Sequence, residues 1–134
     1  MRETPMTRNL KRNEQGQTMV EFTLVLPVLM VVILGIIQFG ITFNNYVALT
    51  DAVRAGARTA AVSRLSSTPS TDTVNRVKNA SGDLDSTKVS VTVATTWVHG
   101  DDVTVTATYP YSISLLGVVV ASGNLSSTTT ERIE

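Results

Sequence analysis

Residues 22–43 form one uninterrupted apolar run, FTLVLPVLMVVILGIIQFGITF, that contains no charged side chain. As an α-helix this run rises about 33 Å, which is enough to cross a hydrocarbon core of about 30 Å. A core helix of a soluble protein is rarely apolar on all sides, least of all in a chain of 134 residues with one such segment. The run therefore predicts a single transmembrane helix.

A cleaved secretory signal is the alternative interpretation, because a basic leader, residues 1–16, precedes the run. Secretory signals have an apolar core of about 7 to 15 residues and a small-x-small cleavage site close behind it. This run is longer. In the sequence FNNYVALTD that follows, Val47 and Leu49 flank Ala48 and leave no convincing cleavage pair. We therefore expect the span to remain in the protein.

The charges on either side of the run predict its orientation. The leader is rich in basic residues, whereas the first basic residue after the run is Arg54. By the positive-inside rule, the N-terminus is expected in the cytoplasm of the cell and residues 44–134 outside it. The protein is thus predicted in the cell membrane. The charged residues of the leader are Arg2, Arg8, Lys11 and Arg12 against Glu3 and Glu14.

Composition argues against several classes of function. Eleven Lys and Arg balance eleven Asp and Glu without a basic stripe beyond the leader, so we expect no nucleic-acid partner. The absence of cysteine excludes disulfides and Cys-based metal sites. His99 has no second His to complete a site, and the aspartates lack EF-hand spacing. We expect no catalytic residue, metal or cofactor. These aspartates, Asp83, Asp85, Asp101 and Asp102, suit turns.

The Ala- and Arg-rich sequence after the span predicts that the same helix continues to about Arg64, so that one long helix covers residues 17–64. A stripe of small residues recurs every fourth position along its outer half and would let another helix approach closely. The high helix propensity of alanine explains the same spacing equally well. Both interpretations stay open for this stripe, which consists of Ala48, Ala52, Gly56 and Ala60.

Residues 65–82 are predicted as a linker and a short helix. The Ser/Thr/Pro-rich sequence SRLSSTPSTD ends the long helix. Thr71 or Asp72 is expected to cap the short helix, and Gly82 to end it. Residues 83–134 are predicted as a small β head, which gives an α+β fold class.

The β head is predicted from alternating apolar residues in TKVSVTVATTWV and VTVTATYPYSI, which HGDD joins as an antiparallel hairpin. Two strands alone are marginally stable, so we expect a third strand near residues 124–132 and a helix over the apolar face. SLLGVVVASGN before this third strand is expected to form a short apolar loop. Trp97, Tyr109 and Tyr111 suggest an aromatic contact surface, although packing within the sheet is the default.

Glu21 stands at the beginning of the apolar run. A carboxylate costs less there than at the middle of a span, and the positive end of the helix dipole favours an anion. From position alone, Glu21 is the interfacial end of an ordinary membrane anchor. The neighbouring residues favour a second interpretation, because Gly16 precedes Glu21 by five residues and the aromatic Phe22 follows it.

The sequence GQTMVEF resembles the processing site of type IV-like prepilins, in which a prepilin peptidase cuts after Gly and leaves Glu as the fifth mature residue. The Glu-Phe pair resembles the signature of the Flp, or tight-adherence, branch. Over residues 16–58 the chain resembles the TadE-like domain of pilus assembly proteins, including Phe39, Gly40 and the VRAGAR sequence. This resemblance implies cleavage between Gly16 and Gln17.

The resemblance also implies a role in docking. Glu21, followed by Phe22, would pair with the new Gln17 amine of a neighbouring subunit. The implied partners are the prepilin peptidase, other pilin or pseudopilin subunits and the inner-membrane assembly platform, and the implied role is a non-enzymatic minor pilin or pseudopilin. The alternative is an uncleaved single-pass anchor with an extracytoplasmic binding module, for which Gly16 and Glu21 are incidental.

Overall fold

The computed structural model describes residues 11–134, with side chains from residue 16 onward. The first ten residues of the predicted leader lie outside this part. The described residues form the predicted α+β fold, a long helix followed by a three-stranded antiparallel sheet. They fall into two compact units, one ending at Ile36 and the other Ile37–Glu134, which we call the head unit. The elements are α1 (Lys11–Val62), α2 (Pro69–Ala80), β1 (Ser90–Ala94), β2 (Asp102–Leu115) and β3 (Val118–Arg132).

Helix α1 begins at Lys11, before the predicted start at residue 17, and contains Pro27. Within it, Gly16–Val62 is the one helical stretch of the described chain that is long and apolar enough to cross a membrane. Its most apolar window is not buried at all, and large side chains such as Leu24 and Val28 are exposed. A helix that is apolar all round without protein neighbours is typical of a lipid-facing span.

In the head unit, the sheet has the order β1-β2-β3, so β2 is the central strand. Strand β1 pairs with the first half of β2, from Ala94 opposite Thr104 to Ser90 opposite Thr108. Strand β3 pairs with all of β2. The distal half of the β2–β3 hairpin therefore forms a two-stranded ribbon without β1 beside it.

The predicted alternation along β2 is confirmed. Val103, Val105 and Ala107 are fully buried on one face of the sheet. On the other face, the hydroxyls of Thr104 and Thr106 form hydrogen bonds with threonines of β3 at 3.0 and 2.9 Å. The C-terminal part of α1 covers the apolar face, as strands with one apolar side require. Its residues in the hydrophobic core cluster are Leu49, Ala52, Val53, Ala57 and Ala60.

Gly56 lies where α1 meets α2. A Cβ atom built on Gly56 would overlap Cγ2 of Val77, which is fully buried in α2. Close approach of two helices needs a residue without a side chain at the contact. The identity of residue 56 therefore sets the distance between α1 and α2.

The predicted cap of α2 was wrong. The helix begins at Pro69, with Thr68 in the N-cap position, instead of being capped by Thr71 or Asp72. Proline suits the first turn of a helix because its missing N–H has no intrahelical partner there and its φ is already helical. The Asp72 carboxylate accepts hydrogen bonds from the hydroxyls of Ser66 and Thr68 at 2.5 and 3.2 Å.

The end of α2 agrees with the prediction. Ser81 is the C-cap, and Gly82 follows with a φ of 61°. A positive φ directly after a helix favours glycine because it has no Cβ.

The apolar loop predicted before the third strand was also wrong. Leu116 and Gly117 form a two-residue turn, with φ angles of 51° and 84°, and the strands on both sides continue up to it. Two consecutive residues with positive φ match the twist of a tight β-hairpin. The pairing shifts register between Ile113 and Ser114, where Val120 is left over on β3. The third strand is therefore longer than predicted.

The two residues after β3 join the sheet to the C-terminal end of α1. Ile133 is buried, its N–H donates to the Asp101 carbonyl at 2.8 Å, and its carbonyl accepts from the Gly100 N–H at 2.9 Å. The N–H of Glu134 donates to the carbonyl of Ala61 at 3.0 Å. These bonds place the beginning of β2 beside the end of α1.

We predict that Gly56→Ala destabilises the head by about 1–3 kcal/mol, because the added methyl overlaps Val77 and overpacks a rigid contact. The single Trp97 packs against the core, so its fluorescence can follow unfolding of the purified protein in detergent. Gly40→Ala is the matched control, since a Cβ there meets no atom within 4 Å. Adding Val77→Ala to Gly56→Ala should restore part of the lost stability, because it removes the methyl groups that the new Cβ overlaps. Equal stability of Gly56→Ala and wild type would contradict this packing.

Ile133→Ala should lower the free energy of unfolding of the head by about 2–5 kcal/mol, because it opens a cavity beneath the sheet. Val98→Ala, at a position that is more than half exposed, is the control and should have little effect. Both variants can be compared by chemical denaturation monitored at Trp97. A similar small loss for both would mean that Ile133 does not contribute to the core.

Candidate processing and docking segment

Residues 16–22, which we call the candidate processing segment, lie within α1 and are all exposed. One helical turn separates Gln17 from Glu21, so their side chains share a face. Gln17 Nε2 donates to Glu21 Oε1 at 3.3 Å. The structure thus brings together the residue that would carry a new amine and the carboxylate predicted to bind such an amine, within one chain.

Gly16 has a different structural context from Gly56. A Cβ built on Gly16 meets no atom within 4 Å, and the residue lies inside a helix. Glycine in a helix interior costs about 1 kcal/mol relative to alanine. The fold of the described chain therefore gains nothing from glycine at residue 16, and a requirement for it would have to come from another molecule.

The side chains around Glu21 form a continuous apolar surface. Met19, Val20 and Phe22 are all more than 60% exposed. The Thr23 hydroxyl donates to the Met19 carbonyl at 2.7 Å, so it adds no free polar group to that surface. Glu21 is the one acidic residue of residues 16–43. Its carboxylate therefore borders an apolar surface that lipid or another helix can cover.

The predicted small-residue stripe lies in the head unit and faces inward. Ala52 and Ala60 are fully buried, Ala48 packs against the core, and Gly56 contacts α2. At Gly56, the helix that approaches this stripe closely is α2 of the same chain. These four residues serve packing within the head in this structure.

The aromatic residues of the head follow the default interpretation of the sequence. Trp97, with a φ of 58°, and Tyr109 are half-buried and pack against the core. Tyr111 lies opposite Gly123, and its ring is 3.1 Å from a Cβ built on that glycine. The ring covers a position in β3 that has no side chain. Most of this aromatic surface is therefore used for internal packing.

The aspartates act in turns. The hydroxyl and the backbone N–H of Thr87 donate to Asp85 Oδ1 at 2.6 and 3.0 Å, and these bonds lower the pKa of the Asp85 carboxyl. Asp101 accepts a short hydrogen bond from the Thr96 hydroxyl. His99 is exposed in a turn. Among side chains 16–134, no three His, Cys, Asp or Glu residues are grouped so that they could hold a metal ion.

The sequence analysis missed a polar cleft of ≈ 380 Å³ in the head unit. It lies between α1 and the distal half of β2, and Lys88 stands at its side. A signal for it is present in the sequence, since Gln38, Thr42 and Asn45 recur at helical spacing on one side of an apolar stretch. The cleft is lined by Gln38, Ile41, Thr42, Asn45, Lys88, Tyr109, Pro110, Tyr111 and Ser112.

Comparison with known proteins gives one match. Residues 16–58, about a third of the chain, match the family model described as TadE-like protein. The searches of curated proteins and of solved structures found no match. The match begins at Gly16 and ends at Arg58, so it covers the candidate processing segment, the apolar run and the first part of the small-residue stripe. The predicted resemblance is thereby confirmed: over residues 16–58, this chain is similar to the TadE-like proteins.

Proposed function

We propose that this protein is a minor pilin or pseudopilin that helps to assemble or initiate a pilus of the Flp/Tad type. In this proposal a prepilin peptidase hydrolyses the peptide bond between Gly16 and Gln17. The TadE-like match supports a place in the Tad pilus system. The observation that carries the finer proposal is that this match starts at Gly16, a glycine that the described fold does not require.

Processing of this bond demands that the helix open locally. A protease binds an extended backbone, whereas residues 11–22 are helical. The residue before this bond is Gly16, and glycine has a lower helix propensity than any residue except proline. Glycine also lowers the free energy needed to leave the helical conformation and leaves its Cα uncovered for close approach of another backbone. Both properties favour recognition at this position.

Hydrolysis would change the charge at the membrane boundary. Water adds across the bond, residue 16 becomes a carboxylate on the released leader, and Gln17 becomes an α-amine, which is protonated at neutral pH. The released leader would take its four basic residues with it. The mature chain would then begin with a cation one helical turn from the Glu21 carboxylate.

Glu21 would serve as a docking group for a neighbouring subunit. An unpaired carboxylate is expensive among packed apolar helices, and an ammonium ion beside it offsets much of this cost. In low dielectric the attraction is strong at short range, so it fixes the axial position of one helix against the next. The hydrogen bond from the neutral Gln17 side chain is a weaker partner that the amine of a neighbour could replace.

The remaining parts of the chain fit a structural role. The exposed apolar surface of α1 would contact lipid before assembly and other pilin helices afterwards. We propose that the leader lies in the cytoplasm and that the head unit lies outside the membrane, where the assembly platform would deliver it to the growing fibre. The peptidase and the platform are the expected membrane partners.

Gly16→Ala should keep the leader attached in cells that contain the prepilin peptidase, because the added methyl blocks the close approach of the enzyme. The fold should be unaffected, since nothing lies near that Cβ, and the head should unfold at the wild-type denaturant concentration. Gly40→Ala is the matched control and should be processed normally. Processing of Gly16→Ala at the wild-type rate would contradict cleavage at this bond.

Glu21→Ala should be processed but should fail to enter pili, because it removes the partner of the neighbouring amine. Asp51→Ala is the control, since Asp51 is an exposed carboxylate of the same helix, paired at 3.5 Å with Arg54. Sheared pili and membranes would be compared by immunoblot. If the protein is instead an uncleaved anchor with a binding head, Gly16→Ala and Glu21→Ala should both keep wild-type function. A change of Tyr109 in a protein that still folds should then reduce ligand binding.

A further inference from the structure

We propose that the tip of the β2–β3 hairpin is a second membrane contact, which rests in the interface of the outer leaflet beside the span. The tip consists of residues 113–121 and occupies the turn farthest from β1. This inference depends on α1 crossing the membrane and not on processing or pilus assembly.

The direction of β2 relative to the outer half of α1 carries the inference. Its first residue, Asp102, follows Asp101, which Ile133 and Glu134 connect to Ala61 near the end of α1. Its distal residues 109–112 line the cleft with Gln38, Thr42 and Asn45. Strand β2 therefore runs back along α1 toward the apolar run.

Burial of α1 gives independent support for this direction. Gln38, Thr42 and Asn45 are half-buried, whereas Phe39 and Phe43, on other sides of the same turns, are exposed. The covered side is the side that lines the cleft. The hairpin thus covers the helix as far as residue 38, which lies inside the apolar run that ends at residue 43.

The hairpin continues beyond the cleft. Strand β2 extends three residues past Ser112 to Leu115, about 10 Å at the usual rise of a strand. Continued in the same direction, the turn lies beyond the cleft, on the side of the apolar run. A soluble head would have polar residues at such a turn, but this one carries Leu116, Val118, Val119 and Val120, all more than half exposed.

Charge and aromatic residues suit the same location. No charged residue occurs from Val103 to Thr130, which includes the whole ribbon. Tyr109 and Tyr111 lie just above the tip, and Lys88 lies beside them. Tyrosine at the headgroup level and lysine facing lipid phosphates are typical of membrane interfaces.

Backbone hydrogen bonding limits the depth. Beyond Thr108, none of the described strands pairs with the edge of β2 that faces β1. Open sheet edges are not tolerated in the hydrocarbon interior because their N–H and C=O groups would be unsatisfied. The tip therefore belongs among headgroups and the first carbons of the acyl chains, where water and glycerol oxygens can bond to the edge.

The absence of cysteine makes this inference directly measurable. Leu116→Cys and Val119→Cys would each carry an environment-sensitive fluorophore in the full chain, reconstituted in vesicles of phosphatidylethanolamine and phosphatidylglycerol. Val119 lies in a strand, so it provides a second position that does not depend on the positive φ of Leu116. Leu65→Cys is the matched control, because Leu65 is 87% exposed at the other end of the head unit.

At both tip positions, we expect a blue-shifted emission, protection from aqueous iodide, and stronger quenching by a nitroxide near the lipid headgroup than by one at the end of the acyl chain. The Leu65 label should be quenched by iodide and not by lipid nitroxides. Iodide access at the tip equal to that at Leu65 would overturn the proposal. A second result would also overturn it: protection from iodide that increases with the protein-to-lipid ratio and is not accompanied by quenching from lipid nitroxides. A second copy of the chain, and not lipid, would then cover the tip.

Discussion

The contact of the small-residue stripe of α1 with α2 and the sheet is the constraint on which the rest of the head unit depends. The three-stranded sheet has one apolar face, and such a face must be buried against another layer of secondary structure. Ala52, Gly56 and Ala60 of the stripe, together with the neighbouring Ala57, let the sheet and α2 approach the α1 backbone. A single helix of 52 residues thereby provides both an apolar span and the covering layer of a folded head.

The side chains of α1 differ between the apolar run and the part of the helix that packs against the sheet. Along the apolar run, large side chains are exposed on all sides, as lipid or neighbouring helices require. From Leu49 onward, one side of the helix is small and buried, and the other carries charges such as the Asp51–Arg54 pair. The similarity to TadE-like proteins spans both parts up to residue 58, whereas the sheet lies outside the matched residues. The matched region therefore contains the apolar run and most of the side of α1 that packs against α2 and the sheet.

Features with a strong local signal were predictable from the sequence. The length of the apolar run predicted the span, and the alternation at Val103, Val105 and Ala107 predicted β2 and its buried face. The start of α2 was missed because Pro69 was interpreted as part of a loop, although proline is favoured in the first turn of a helix.

The tight hairpin turn was missed because Leu-Gly lacks the Asn or Asp that commonly marks two residues with positive φ. The partner of the stripe also could not be deduced, since small residues specify that something approaches and not which element does so. At the candidate site, Gly16, Gln17, Glu21 and Phe22 were all chosen from the sequence. The structure adds that Gly16 has open space around it and that Gln17 and Glu21 share a face.

The intact mass of the wild-type protein, purified from membranes of cells with and without the prepilin peptidase, tests the central claim most directly. The account predicts a peptidase-dependent product that begins at Gln17 and has lost the mass of residues 1–16. A full-length chain in both membranes would contradict it. Residues 16–58 would then act as an uncleaved anchor, and Glu21 would have no neighbouring amine to bind.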